Sequence, residues 1–117
     1  MNPAVYIIAS ETGLVKVGAS TWRSRRIRLV YSPDRSNRAA ICYTDRHPLA
    51  YRIEHHAHRL LEPWRYEPES YREWFTAPIP LARDAIVTAW REIADGDCVL
   101  YDACRQCRGF GCENCEG

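Results

Sequence analysis

The stretch PAVYIIASETGLVKVGAS (residues 3–20) decides the fold. Residues 3–9 are rich in β-branched and aromatic side chains, a composition that is typical of a β-strand. The tripeptide ETG at residues 11–13 supplies a turn, with a glycine where a tight loop needs one. Residues 14–19 return as a second strand. The sequence therefore predicts an antiparallel β-hairpin at the start of the chain.

Further strands and helices are predicted downstream of the hairpin. Apolar spacing and proline or glycine breakers predict a helix at 22–31, a strand at 39–44, and helices at 49–61 and 81–94. Three strands can form a core only if helices cover them. We therefore predict an α/β (α+β) fold, a small three-stranded antiparallel sheet covered by helices, at residues 1–96. Residues 97–117 are expected to be a linker and a cysteine-rich tail.

The composition is that of an ordinary soluble domain. The 117 residues are 46% hydrophobic and 26% charged, which argues against disorder of the whole chain. No apolar run approaches the ~18 residues of a membrane helix. The N-terminus has only a short apolar run without a preceding basic region, so we interpret it as a strand and not as a signal peptide. We expect a cytoplasmic protein that does not contact a membrane.

Positive charge is concentrated in one segment of a nearly neutral chain. Residues 21–46 hold seven arginines and two aspartates, a net charge of +5, whereas the whole chain carries +1. Phosphate backbones are the commonest target of such a patch, and a solvated helix face is the alternative. Arg26 falls inside the apolar stripe of the predicted first helix, where it needs an anionic partner or must extend from the edge of the core. The candidate DNA-contacting residues are Arg23, Arg25, Arg28, Arg35 and Arg38.

The predicted helix at 49–61 carries a second group of polar residues. Its predicted core stripe comprises Leu49, Ile53, Ala57 and Leu60. Glu54 and His58 are one turn apart on the flank of that stripe, with Tyr51 close to both. A carboxylate there can hold a hard divalent cation that keeps several waters. Zinc binding through His55 and His58, or a merely polar helix flank, are the alternatives.

Four cysteines in the tail form two CxxC pairs. Their pattern is Cys104-x2-Cys107-x4-Cys112-x2-Cys115, which offers four thiolates to a tetrahedral Zn²⁺ ion. The repeated CxxCxG motif resembles the zinc-binding knuckles of DnaJ-type cysteine-rich domains. The four-residue gap is tight, so a site shared between two chains is an alternative to one zinc per chain. Reduced, unstructured thiols or an iron–sulfur cluster would also be compatible with this spacing.

Five short motifs in order carry a family resemblance. They are Val5-Tyr6-Ile7, Lys16-Val17-Gly18, Arg26, Glu54 with His58, and Glu73-Trp74-Phe75. Together they resemble the GIY-YIG nuclease superfamily, in particular a phage-associated branch with KIG, E-x-x-x-H and EWF motifs. The chain departs from the family where Ala4 replaces the glycine of GIY and where Lys16 stands at the second tyrosine. No residue clearly matches the asparagine that some members carry near the end of the domain.

The resemblance implies metal-dependent hydrolysis of DNA by an endonuclease in a bacterial or phage-infected cell. It implies that Tyr6 orients or deprotonates the attacking water, Arg26 binds the scissile phosphate, and Glu54 holds Mg²⁺ or Mn²⁺. His58 is a candidate proton shuttle or leaving-group donor. Lys16 stands in place of the missing tyrosine. There it would lower the pKa of Tyr6 or act as the base itself, since a lysine, unlike an arginine, can release its proton when burial lowers its pKa.

Two further functions remain open from the sequence. Members of the family include modules that bind DNA without cutting, and a chain of this type could keep the fold without catalysis. A zinc-dependent interaction protein is the second possibility. A small domain has little room for reading bases, so a homodimer or a protein partner could supply specificity.

Overall fold

A computed structural model of the protein describes residues 1–21, 32–66 and 73–103. The predicted hairpin is confirmed, with β1 at Ala4–Ser10 and β2 at Val15–Ser20 paired antiparallel. Gly13 in the connecting turn has a φ of +94°. This left-handed conformation is strained for residues with a Cβ atom and explains the glycine in the turn.

Two groups of predicted residues lie outside the described ranges. The first comprises the arginine-rich helix predicted at 22–31, with Arg23, Arg25, Arg26 and Arg28. The second is the cysteine tail with Cys104, Cys107, Cys112 and Cys115. The predictions for these residues therefore remain predictions.

The sheet has five strands within the described residues, so the predicted number of three is corrected. Besides the hairpin it contains β3 at Arg38–Thr44, β4 at Trp74–Phe75 and β5 at Leu100–Asp102, in the order β4-β2-β1-β3-β5 with all neighbours antiparallel. The two added strands have two and three residues, too few for an alternating pattern to identify them. Strand β5 belongs to the sheet although it lies in the segment expected to be linker and tail.

Both described helices pack on one face of this sheet, so the predicted α+β class is confirmed. Helix α1 spans Ala50–Leu60 and helix α2 spans Ile79–Ala94. A short 3-10 helix at Glu62–Trp64 follows α1. The core between sheet and helices contains Val5, Ile7, Val15, Val17, Ile53, Ala57, Leu61, Phe75 and Ile86.

The predicted core stripe of α1 is wrong at one position, Leu60. Leu60 is 38% exposed, and Leu61 is buried in its place. Leu61 lies four residues after Ala57, so it continues the buried side of α1, whereas Leu60 lies at the edge. Glu54 is also buried, although the sequence predicts it on the flank.

The opposite face of the hairpin has a smaller apolar cluster. Strand alternation directs Tyr6 and Ile8 to this face, where they join Leu14 and Trp74. Neither helix in the described part of the chain has the length and apolar character that crossing a membrane requires.

Candidate functional site

Tyr6 and Lys16 share one face of the hairpin. The β1–β2 register pairs Tyr6 with Gly18 and Ile8 with Lys16, and directly paired residues project from the same face. Tyr6 and Lys16 are therefore diagonal neighbours across the two strands. Both are buried, with exposed fractions of 1% and 5%.

Gly18 makes room for the phenol of Tyr6. A Cβ atom at residue 18 would lie 2.5 Å from the Tyr6 hydroxyl oxygen and 2.6 Å from Cζ, closer than non-bonded atoms approach. The Tyr6 ring therefore crosses from β1 over the backbone of β2 at this point. Residue 18 must be glycine because of this crossing, which gives the glycine of the KVG motif a steric reason.

Lys16 forms an ion pair with Glu73, the residue just before β4. The lysine side chain is 6% exposed and the glutamate side chain 42% exposed, so solvent reaches the pair from the carboxylate side. The carbonyl oxygen of Glu73 also accepts a hydrogen bond from the Val17 N–H at 3.3 Å. Side chain and backbone thus fix the start of β4 to the Lys16–Val17 segment.

Sequence reasoning recognised Glu73 only as part of a family motif and did not place it among the site residues. The two partners of the ion pair are 57 residues apart in the chain. No local pattern connects residues at that distance. The only signal in the sequence was that Lys16 and Glu73 each belong to one of the recognised motifs.

On the helix side of the sheet, α1 positions Glu54 and His58. Ile53 and Ala57 anchor α1 on the core, and Glu54 and His58 each follow one of these residues at the side of the buried stripe. The Glu54 side chain is 6% exposed, and its Oε1 lies 3.8 Å from Nε2 of His58 and 4.0 Å from Nε2 of His55. Glu54 and His58 therefore lie close together, as the sequence predicts.

His58 connects α1 to the strand backbone. Its Nε2 lies 2.7 Å from the carbonyl oxygen of Val17, and the ring centroids of His58 and Phe75 are 5.4 Å apart. Because a carbonyl oxygen only accepts hydrogen bonds, Nε2 must carry the proton. The imidazole therefore donates to the strand at the residue between Lys16 and Gly18.

Burial lowers the pKa of His58 below its ordinary value. Loss of hydration is the largest cause, and the Val17 carbonyl and the Glu73 carboxylate oppose it by favouring the charged ring. Arg65 and His55 add to the lowering through their positive charge. His58 is therefore neutral at neutral pH, with its proton on Nε2.

Three consecutive residues of β2 thus organise the described part of the site. Lys16 binds Glu73 through its side chain, Val17 accepts the proton of His58 through its carbonyl, and Gly18 lies beneath the ring of Tyr6. The hairpin face presents Tyr6 and Lys16, and α1 brings Glu54 and His58 to the same strand from the helix side.

Glu54 offers one carboxylate that could hold a hard cation. Within residues 1–21, 32–66 and 73–103, no group of three or more histidine, cysteine or acidic side chains could enclose a metal ion. A single carboxylate with water and substrate oxygens is the environment in which Mg²⁺ is commonly bound. Glu54 fits such an ion chemically, whereas a zinc site would need further ligands.

Two of the predicted DNA-contacting arginines are described. Arg35 is exposed in the loop before β3, and Arg38 is half-buried at the start of that strand. Asp34 orders this loop by accepting hydrogen bonds from Thr12, Ser36 and Ser32. Those bonds, of which the one from Thr12 has the largest effect, hold the pKa of the Asp34 carboxyl well below its usual range.

A hairpin with Tyr6 and Lys16 on one face, and a helix with Glu54 packed on its other face, define a class of small α+β domains. Residues 4–95 match the family model of the T5orf172 domain, and the chain belongs to that family. This phage-associated domain is related to nuclease folds of the GIY-YIG type. No curated protein and no solved structure matches the chain at a significant level. The cysteine tail lies outside the matched residues.

Proposed function

We propose that the protein is a divalent-metal-dependent endonuclease that hydrolyses phosphodiester bonds in DNA. The observation that carries the proposal is that β2 presents Tyr6 and Lys16 on one face, while His58, which lies 3.8 Å from Glu54, binds its backbone from the other face. A phenol, a cation and a carboxylate are the groups that phosphodiester hydrolysis requires for its nucleophile, its developing charge and its metal. Membership of a family related to GIY-YIG-type folds supports the same reaction.

Each residue is assigned a role in this reaction. Glu54 holds Mg²⁺ or Mn²⁺, which when bound supplies Lewis-acid stabilisation of the phosphate charge. Tyr6 orients or deprotonates the attacking water. Arg26, together with the basic residues Arg23, Arg25, Arg28, Arg35 and Arg38, contacts DNA phosphates. Lys16 lies beside Tyr6 and provides positive charge next to its phenol.

His58 is better placed to hold β2 against α1 than to transfer protons. Its Nε2–H is committed to the Val17 carbonyl at 2.7 Å, so proton transfer through that nitrogen would require this bond to break. Nδ1 remains the nitrogen with a lone pair. We therefore assign His58 to the site as the residue that fixes the edge of β2 against α1.

The remaining proposals concern the tail and the partners. Cys104, Cys107, Cys112 and Cys115 bind one Zn²⁺ ion and help the nuclease domain to dock on DNA or on a protein. A homodimer or a protein partner supplies sequence or shape specificity. The cytoplasm of a bacterial or phage-infected cell is the compartment in which free thiols of this kind stay reduced.

The burial of Tyr6 and Lys16 favours a second function, which is DNA binding without cleavage. Tyr6 is 1% exposed and Lys16 is already paired with Glu73, so neither group faces open solvent. A module that binds DNA without cutting would keep the fold and this arrangement. It would bind DNA in a salt-sensitive manner and would not need a metal at Glu54.

A cleavage assay on single-stranded, duplex and branched DNA with Mg²⁺ or Mn²⁺ separates the two functions. We expect Glu54→Gln to lower the cleavage rate by at least ~100-fold, because an amide cannot replace a metal-binding carboxylate. DNA binding should change little. Asp84→Asn is the matched control, since it makes the same change of carboxylate to amide at an exposed position of α2. An unchanged rate in Glu54→Gln, or a wild-type protein that never cuts, would contradict the endonuclease function.

A further inference from the structure

The outer face of α1 carries positive charge without any exposed acidic residue. Arg52 and Arg59 are both exposed, and so is His55, whose side chain is 71% accessible. Glu54 is the only acidic residue of α1, and it is buried. Among the described residues, neither Arg52 nor Arg59 has an ion-pair partner. Their charge is therefore available to a ligand.

Helix α2 carries equal numbers of positive and negative side chains. Along α2, Arg83 and Arg91 are matched by Asp84 and Glu92, so its charged side chains sum to zero. Arg83 is also paired with Asp102 of β5. Two helices of the same layer thus differ in the charge that they present, which a general arginine-rich composition does not explain.

The arginines of α1 lie on the outer side of the helix, far from its core side. Going around the helix at 100° per residue, Glu54 comes first after the core side, then His58, then Tyr51 and His55, and then Arg59 and Arg52. Tyr51 is 51% exposed. Arg59 and Arg52 therefore lie about 140° and 160° around α1 from Glu54, on the side of the helix away from the core.

We propose that the outer face of α1, centred on Arg52 and Arg59, binds the backbone phosphates of one DNA strand. The two arginines are seven residues apart, about 10 Å along the helix axis. This matches the rise of about three nucleotides along one strand. Guanidinium groups suit phosphate oxygens because they offer a fixed fork of donors. The inference rests on the proposed function, since it takes DNA as the ligand.

Binding measured without cleavage tests this face. Fluorescence anisotropy of a labelled 30-base-pair duplex and of its single strand, in EDTA and over a range of salt, gives the affinity and its salt dependence. We expect Arg52→Gln and Arg59→Gln each to weaken binding about 3- to 10-fold at low salt. The slope of log K against log salt should fall by about 0.9 for each phosphate that the variant no longer neutralises.

Arg91→Gln is the matched control. Arg91, like Arg59, is an exposed arginine in the last turn of its helix, so both substitutions remove the same interaction with the helix end. We expect Arg91→Gln to bind as the wild type does, and all three variants to keep their cooperative thermal transition. Equal affinities and slopes in the α1 variants and the control would overturn the proposal, as would a wild-type protein that does not bind DNA.

The outcomes also separate this inference from the proposed reaction. If the α1 variants lose affinity and salt dependence but the protein never cleaves DNA, the basic face stands and the endonuclease function fails. If the protein cleaves DNA and the α1 variants bind normally, the reaction stands and the basic face fails.

Discussion

The two faces of strand β2 hold their polar residues in different ways. On the hairpin face, the Tyr6 ring lies directly on the backbone of Gly18, and Lys16 is buried against Glu73. On the helix face, a side chain of α1 reaches a backbone carbonyl through one hydrogen bond, from His58 to Val17. The first arrangement depends on close packing and the second on a single polar contact. Substitutions on the hairpin face should therefore affect folding and function together, whereas those near α1 should separate them.

The largest loss of stability is expected from Gly18→Ala. The added methyl group would lie 2.5 Å from the Tyr6 hydroxyl oxygen and 2.9 Å from Cε2, so the ring or the strand must move. Overpacking of this kind costs about 1–3 kcal/mol. Denaturant unfolding followed by tryptophan fluorescence would measure it. Gly96→Ala is the control, because a Cβ atom there has no neighbour within 4 Å.

A double-mutant cycle tests whether Tyr6 is the cause. If the cost of Gly18→Ala comes from the phenol, the same substitution should cost much less in a Tyr6→Leu background, where the ring is absent. Equal costs in both backgrounds would mean that the strand backbone, and not the crossing ring, excludes a side chain at residue 18. The hairpin face would then be no more tightly packed than the helix face.

An intermediate effect is expected from the Lys16–Glu73 pair, and it should be asymmetric. Glu73→Gln leaves a lysine whose side chain is 6% exposed without its counter-charge, whereas Lys16→Met leaves a glutamate that is 42% exposed and can be hydrated. We expect the first change to cost about 1–2 kcal/mol and the second less than about 1 kcal/mol, after allowing for solvent screening at the carboxylate. Thermal unfolding of both variants would compare them. A larger loss in Lys16→Met would indicate that the lysine contributes through interactions besides this pair.

The hairpin shows what the sequence could predict. Its first strand is rich in β-branched and aromatic residues, its turn contains Gly13, and the candidate residues Tyr6, Lys16 and Glu54 each belong to a motif that can be read along the chain. Local patterns also located both described helices, because 3.6-residue periodicity is clear over their lengths.

The contacts that define the site could not be predicted in the same way. The ion pair of Lys16 with Glu73 and the bond of His58 to Val17 join residues 57 and 41 positions apart. Such contacts depend on the packing of α1 and β4 against β2, which a single sequence does not specify. The short strands β4 and β5 were missed because pairing with a neighbour, and not their own composition, makes them strands.

The smallest effect is expected on the helix face, as a dependence of stability on pH. His58 has a lowered pKa in the folded protein, mainly because it is buried, so the unfolded chain binds its proton more readily. Stability should be constant above the ordinary histidine value of 6.5 and should decrease as the pH falls from there toward the lower folded pKa. Each unit of difference between the two pKa values corresponds to about 1.4 kcal/mol.

Denaturant unfolding between pH 5 and pH 8 would separate His58 from the other histidines. His58→Gln can still donate an amide hydrogen bond to Val17 but does not titrate, so its stability should depend less on pH than that of the wild type. His55→Gln should keep most of the wild-type dependence, because His55 is the smallest of the causes that lower the pKa of His58. If His58→Gln keeps the full pH dependence, then the imidazole of His58 does not cause it and is not shielded from water as its contacts with Val17 and Phe75 indicate. The helix face of β2 would then be more accessible to water than these contacts imply.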